Sequence, residues 1–219
     1  MKRGIVIGTS EYTKDFLQPL IESIKGTKYR ILVVSNGGYV PTLKLKDPNF
    51  YLPVNEENVL WGYEFCSSVR VVVNKWNGWE LAVIERGKEY FDEFVHIMDT
   101  TLIKDISLFD KLFAIEGNVV LTRGNFHYMG KFVTKELPNL PRVHDKTTAI
   151  MLETKWLDGF KYTEFIPDLP VHSLNREIIH GQDRMRIENE YIVKFKGTAW
   201  ISPEQLAELS EEINKKYPK

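Results

Sequence analysis

The sequence predicts an α/β fold in which a mostly parallel central sheet is flanked by helices. Ile5-Val6-Ile7 and Tyr29-Arg30-Ile31-Leu32-Val33-Val34 are near-continuous apolar runs rich in β-branched residues, the pattern of strands buried on both faces. Between them Phe16, Leu17, Leu20, Ile21 and Ile24 recur at helical spacing, so the three segments form a βαβ unit. The alternation of apolar strand, polar turn and helix-forming stretch then continues through Thr122.

The first strand runs into Gly8-Thr9-Ser10. Thr13 is the expected N-cap of the first helix, Pro19 is expected to delay or kink it, and Gly26 to end it. The second strand closes on Ser35-Asn36-Gly37-Gly38, and residues 39–58, rich in Pro, Asn and Lys, read as a connection with one short strand at most. Val69 to Val73 form a third strand, followed by the turn cluster Asn74-Lys75-Trp76-Asn77-Gly78 and a helix over 79–86. Phe94-Val95-His96-Ile97-Met98 is the fourth strand and ends in Asp99-Thr100-Thr101; Asn118 to Thr122 is the fifth and is closed by Arg123-Gly124. A helix is predicted over 145–157 with Gly159 beyond it. A terminal helix is predicted over 202–216, where Ser202, Pro203 and Gln205 make a capping box with proline at the first helical position.

Composition excludes several classes. With 43% hydrophobic and 12% aromatic residues the chain can bury a sizeable core, unlike a disordered or collagen-like chain. Lys plus Arg number 29 against 30 Asp plus Glu, so no global basic field favours nucleic acid or an anionic membrane. The single cysteine, Cys66, makes neither an internal disulfide nor a cysteine-based zinc site, which suits a reducing, cytoplasmic setting. The apolar run from Gly4 to Gly8 is too brief for a secretory h-region or a transmembrane span. With no repeat and no long linker, residues 1–219 are expected to form a single domain.

The pieces that carry a resemblance are the opening strand-loop-helix, the second strand ending in Asn36-Gly37-Gly38, Asn77-Gly78 before a helix containing Ala82, and a strand running into Asp99. The segment from Arg123 to Phe132 follows, and then the acidic helix start His144-Asp145. In this order they resemble the GT-A glycosyltransferases, especially the family 2-like inverting enzymes, over roughly residues 4 to 160. The resemblance implies a GT-A-like single domain with a Rossmann-like, mostly parallel sheet. It divides into a nucleotide-binding half at about 1–101, an acceptor-binding half at about 102–200, and the C-terminal helix at about 202–216.

What it implies for the site is a nucleotide-sugar donor, with a UDP-sugar favoured, and a hydroxyl-bearing acceptor such as a carbohydrate. Thr9, Ser10 and Tyr12 would supply hydroxyls and an aromatic wall to the donor, with Asn77 beside it. Asn36 stands where the family commonly has an aspartate against the base, and its side-chain carbonyl can accept a uracil N–H; the same tripeptide also has the composition of a plain turn. Asp99-Thr100-Thr101 keeps one carboxylate of the family's D-x-D turn, which holds Mn²⁺ or Mg²⁺ against the diphosphate, and puts threonine at the second. His172 is the implied further metal ligand, with His180 second. Asp145 is the implied general base, with Glu153 as fallback; an aspartate there equally suits a helix N-cap. Arg123, His127 and Tyr128 are candidates for the acceptor pocket or the diphosphate, and Trp76 and Trp79 for stacking on sugar or base. Two other readings remain open. A nucleotidyltransferase would be expected to carry a glycine-rich basic loop after the first strand, where this chain has Gly8-Thr9-Ser10-Glu11-Tyr12. A degenerate GT-A domain would bind a nucleotide, a sugar or a partner without catalysis.

Overall fold

The computed structural model describes residues 1–41, 43, 62–65, 67–74, 79–123, 126–139, 161–164, 175–179, 182–188, 191–196, 207–208, 211 and 215. The first half contains β1 (Arg3–Ser10), α1 (Lys14–Ser23), β2 (Arg30–Asn36), β3 (Gly62–Phe65), β4 (Ser67–Val73), α2 (Trp79–Tyr90) and β5 (Glu93–Met98). Then come β6 (Thr101–Ile103), α3 (Ser107–Ala114), β7 (Asn118–Arg123), β8 (Phe126–Val133), β9 (Tyr162–Glu164), β10 (Asn175–Ile179), β11 (Gln182–Glu188) and β12 (Ile192–Lys196).

An eight-stranded sheet has the order β3-β4-β2-β1-β5-β8-β7-β9. β4, β2, β1 and β5 are parallel neighbours. β3 is antiparallel to β4, and β8 is antiparallel to both β5 and β7, while β9 is parallel to β7, so only β3 and β8 run against the rest. This is the mostly parallel, helix-flanked α/β sheet that the apolar runs predict. A second, four-stranded antiparallel sheet has the order β10-β11-β12-β6.

β1, β2 and β5 are buried on both faces because each face of the sheet has its own core. On one, Ile5, Ile7, Ile31, Val33, Val95 and Ile97 pack against Phe16, Leu20 and Ile21 of α1, Leu108, Phe109 and Leu112 of α3, and the small sheet's Leu102, Ile192 and Val193. On the other, Val6, Leu32, Val34 and Phe94 pack against Leu81, Val83 and Ile84 of α2. Alternate residues therefore feed opposite cores, as strand geometry requires. Ser23 ties the layers: its hydroxyl donates to the Leu20 carbonyl and accepts the Ile103 N–H at 3.0 Å, joining α1 to β6.

Several local expectations change. α1 begins after a 3-10 turn over Glu11–Thr13, so Thr13 precedes it but makes no side-chain cap; its hydroxyl turns back to Ser10 instead. Pro19 lies inside α1 without ending it, and the chain turns at Gly26 with φ +87°. α2 runs on to Tyr90. The stretch between the fourth and fifth predicted strands holds β6 and α3, and the segment after Arg123 returns as β8. Residues 207, 208, 211 and 215 are helical, with Lys215 paired to Glu211 at 3.2 Å, within the predicted terminal helix. The predicted helix over 145–157 lies outside the described residues. Among the described residues no helix is long and apolar enough to cross a membrane.

Gly4 shows how closely α2's end approaches the sheet. A Cβ there would lie 2.2 Å from the Phe91 ring, far inside van der Waals contact. Gly4→Ala is expected to destabilise the fold by about 1–3 kcal/mol through overpacking, read as a melting temperature several degrees lower. A variant that melts like the wild type would mean that Phe91 moves aside at no cost.

Candidate functional site

The main sheet has a topological switch point at β1: the chain steps outward from β1 to β2 and β4 on one side, then returns to place β5 on the other. In open α/β sheets, ligands bind outside the carboxyl ends of the strands at such a crevice. Here those ends are Thr9-Ser10 of β1 and Asp99 after β5. The Thr9 hydroxyl donates to Asp99 Oδ2 at 2.6 Å, and the Asp99 N–H donates to the Gly8 carbonyl at 3.0 Å. Thr9 is 3% exposed and Asp99 1%. A short hydrogen bond to an ionised acceptor in a buried setting fixes the carboxylate's rotamer and position. Asp99 thus stands on the same edge as Ser10 and Asn36.

After Asp99-Thr100 the chain leaves the main sheet for β6, which pairs with β12. That change of sheet buries the turn: Thr100 is buried and Thr101 wholly so. The Thr101 hydroxyl has no hydrogen-bond partner among the described residues. Tyr39 lies over the same edge. Its phenol is pushed above the ordinary tyrosine value first by burial and then by the negative charges of Asp15, Glu11 and Asp99. The strand ends therefore collect negative charge.

This local chemistry suits a hard divalent cation. Asp99 offers a carboxylate, Thr9 and Thr101 offer hydroxyl oxygens, and the Thr101 oxygen is buried without a partner among the described residues. Among the described residues no three His, Cys, Asp or Glu side chains gather to hold a metal, and His172 lies outside them.

At the end of β2, Gly37 and Gly38 adopt φ of +75° and +73°, values only glycine takes readily in succession. The turn is locked to the end of β4: Asn74 N–H donates to the Ser35 carbonyl and Gly38 N–H to the Asn74 carbonyl, each at 2.7 Å. The Ser35 hydroxyl donates to the Tyr39 carbonyl at 2.6 Å. Asn36 is buried, and its Oδ1 accepts Asn74 Nδ2–H at 3.1 Å. Asn74 Oδ1 in turn accepts Arg86 Nε–H at 2.9 Å, and Arg86 is held by both carboxylate oxygens of Glu89. The carbonyl expected to meet a uracil N–H is thus turned to Asn74.

Ser10 shares a 3.2 Å hydroxyl contact with Thr13, and Tyr12 is 81% exposed beside the crevice. Of the other sequence candidates, Asn77, Trp76, Asp145, His144, Glu153, His172 and His180 lie outside the described residues. Arg123 ends β7 and pairs in register with Phe126 at the start of β8, which puts that hairpin end at the carboxyl edge too; His127 and Tyr128 follow on β8. Sequence reasoning does not single out Tyr39, Asn74 or Arg86. Asn74 carries a signal, since it directly follows an apolar strand whose carboxyl end must reach this edge.

No protein-family model matches the sequence, and no curated protein matches it. Among solved structures the chain is similar to the galactosyltransferase LgtC in complex with donor and acceptor sugar analogs, at 11% identity and a TM-score of 0.49, over 97% of this chain and 96% of that one. It is also similar to HddC from Yersinia pseudotuberculosis, at 12% identity and a TM-score of 0.46, over 75% of this chain and 90% of that one. A third similarity is to the glycosyltransferase GlyE of Streptococcus pneumoniae TIGR4, at 8% identity and a TM-score of 0.47, over 75% of this chain and 46% of that one. These are likenesses of chain path. The fold and site themselves define a mostly parallel α/β domain with a buried threonine-aspartate pair at its switch point.

Proposed function

We propose that this protein is an inverting GT-A-type glycosyltransferase that moves a sugar from a nucleoside-diphosphate donor to an acceptor hydroxyl. The observation that carries the reading is the Thr9–Asp99 pair at the switch point, a fixed carboxylate where an α/β sheet presents its ligand site. Charge supports it. A diphosphate brought to an edge bearing Asp15, Glu11 and Asp99 is repelled unless a divalent cation, Mn²⁺ or Mg²⁺, lies between. Bound there, the cation would neutralise charge on the departing diphosphate.

Asp99 holds the donor end of the site, with Thr9 fixing its carboxylate, while Ser10 and Tyr12 border the crevice. His172 is a further metal ligand in this reading, and Asn77 a donor contact. Asp145 takes the proton from the acceptor hydroxyl as its oxygen bonds to the anomeric carbon and the bond from that carbon to the diphosphate oxygen breaks, inverting the centre. The nucleotidyltransferase reading gains no support from the loop after β1, a 3-10 turn over Glu11–Thr13 with no glycine and no basic residue.

Incubation with a panel of sugar nucleotides, with and without Mn²⁺, is the test. Metal-dependent transfer, or slow hydrolysis releasing a nucleoside diphosphate, is expected. Release of pyrophosphate would mark a nucleotidyltransferase, and silence across the panel a non-catalytic domain.

A further inference from the structure

Resting on the reading above, we infer that Tyr39 is a phosphate-binding residue of the donor site, its phenol O–H donating to an oxygen of the nucleoside diphosphate. Strand register places the residue there. Asn36, the last residue of β2, pairs with Ser10, the last of β1; on the other side of β1, Met98 pairs with Gly8, so Asp99 follows at the same edge. Residues 37–39 therefore leave β2 level with the Glu11–Thr13 turn that follows β1. Gly37 and Gly38, both at positive φ, turn the chain, and the Asn74 carbonyl accepts the Gly38 N–H at 2.7 Å. The Ser35 hydroxyl donates to the Tyr39 carbonyl at 2.6 Å. These bonds hold the main chain of Gly38 and Tyr39 and leave the phenol uncommitted.

Tyr39 is half-buried, and its hydroxyl feels the charges of Asp15, Glu11 and Asp99. Asp15 stands in the first turn of α1, Glu11 in the 3-10 turn and Asp99 just beyond β5. Those three elements come together at the carboxyl ends of β1 and β5, so the hydroxyl lies there too. Burial first, and then these charges, hold the phenol above the ordinary tyrosine value; at neutral pH it keeps its proton and remains a donor. Among the described residues it hydrogen-bonds to none. A neutral donor suits an edge that must receive a diphosphate beside carboxylates. A lysine here would be neutralised by Asp15 and Glu11, whereas the phenol keeps its hydrogen bond for an incoming phosphate oxygen. The cation balances charge, and the phenol adds a directed hydrogen bond.

Titration of UDP, GDP and dTDP in Mn²⁺ buffer against the full chain and two variants tests the inference. Tyr39→Phe keeps the ring and deletes only the hydroxyl. It is expected to bind the preferred diphosphate about tenfold or more weakly than the wild type, the size of a hydrogen bond to a charged oxygen. The matching nucleoside, which has no phosphate, should bind both proteins alike, and their melting curves should coincide. Tyr39→Leu deletes ring and hydroxyl together and should weaken diphosphate binding to a similar degree. A Tyr39→Phe variant that binds the diphosphate as tightly as the wild type, or that loses the nucleoside to the same extent, would overturn the inference and leave the glycosyltransferase reading standing. A loss confined to Tyr39→Leu would do the same and mark the ring as a stacking wall. Failure of the wild type to bind any of the three diphosphates at millimolar concentration would overturn that reading, and this inference with it.

Discussion

Asp99→Asn is expected to lower transfer by about 10²-fold or more while leaving the fold intact. The asparagine keeps the volume, and its side-chain carbonyl can still accept the Thr9 hydroxyl that lies 2.6 Å from the wild-type carboxylate. What it removes is the negative charge. If that charge holds a cation against the donor diphosphate, donor affinity in Mn²⁺ should drop towards the metal-free value, and the difference between the two conditions should largely vanish. Donor titration with and without Mn²⁺, run beside a melting curve, makes the check. A variant that melts normally, binds donor as well as the wild type and still responds to Mn²⁺ would place Asp99 among turn residues that serve only the β5-to-β6 crossing.

Asp145→Asn is the second large effect. The resemblance gives Asp145 the role of general base, and loss of such a base typically costs on the order of 10²–10⁴ in rate. Asparagine caps helices about as well as aspartate, so stability should hardly change; even outright loss of a cap costs only about 0.5–2 kcal/mol. Donor binding should also survive. Single-turnover transfer measured with saturating donor isolates the chemical step, and an unchanged rate there would move the search to Glu153.

The parts of the fold legible in the sequence are those whose burial is two-sided. β1, β2, β4 and β5 announce themselves because each must be apolar on both faces, one towards α1 and α3, the other towards α2. β8 does not, because it carries Lys131 in mid-strand, which a sequence reading sends to the surface. In the structure Lys131 is wholly buried, its ammonium donating to the Ile115 and Gly117 carbonyls in the turn after α3, and burial holds its pKa below the ordinary lysine value. β6 is only three residues long, and β11 and β12 interleave Arg, Glu and Lys with their apolar residues, so neither period nor composition marks them strongly.

The site divides the same way. Asp99 is legible because an apolar strand delivers whatever follows it to the carboxyl edge. Thr9 rather than Ser10 meets Asp99 because neighbouring strand residues face opposite ways, a matter of register that one sequence leaves open. The Arg86–Asn74–Asn36 chain is not legible at all. It joins residues 12 and 38 positions apart through packing of α2 on the sheet, and Arg86 paired with Glu89 three residues on looks like any solvent-facing helix pair.

A crystal structure of the protein with a sugar nucleotide and Mn²⁺ bears most directly on the central claim. The account predicts the diphosphate at the carboxyl ends of β1 and β5, with the cation in coordination contact with Asp99 at about 2.0–2.6 Å. A nucleotide bound at the opposite ends of the strands, or held at the switch point with neither the cation nor the diphosphate near Asp99, would contradict it.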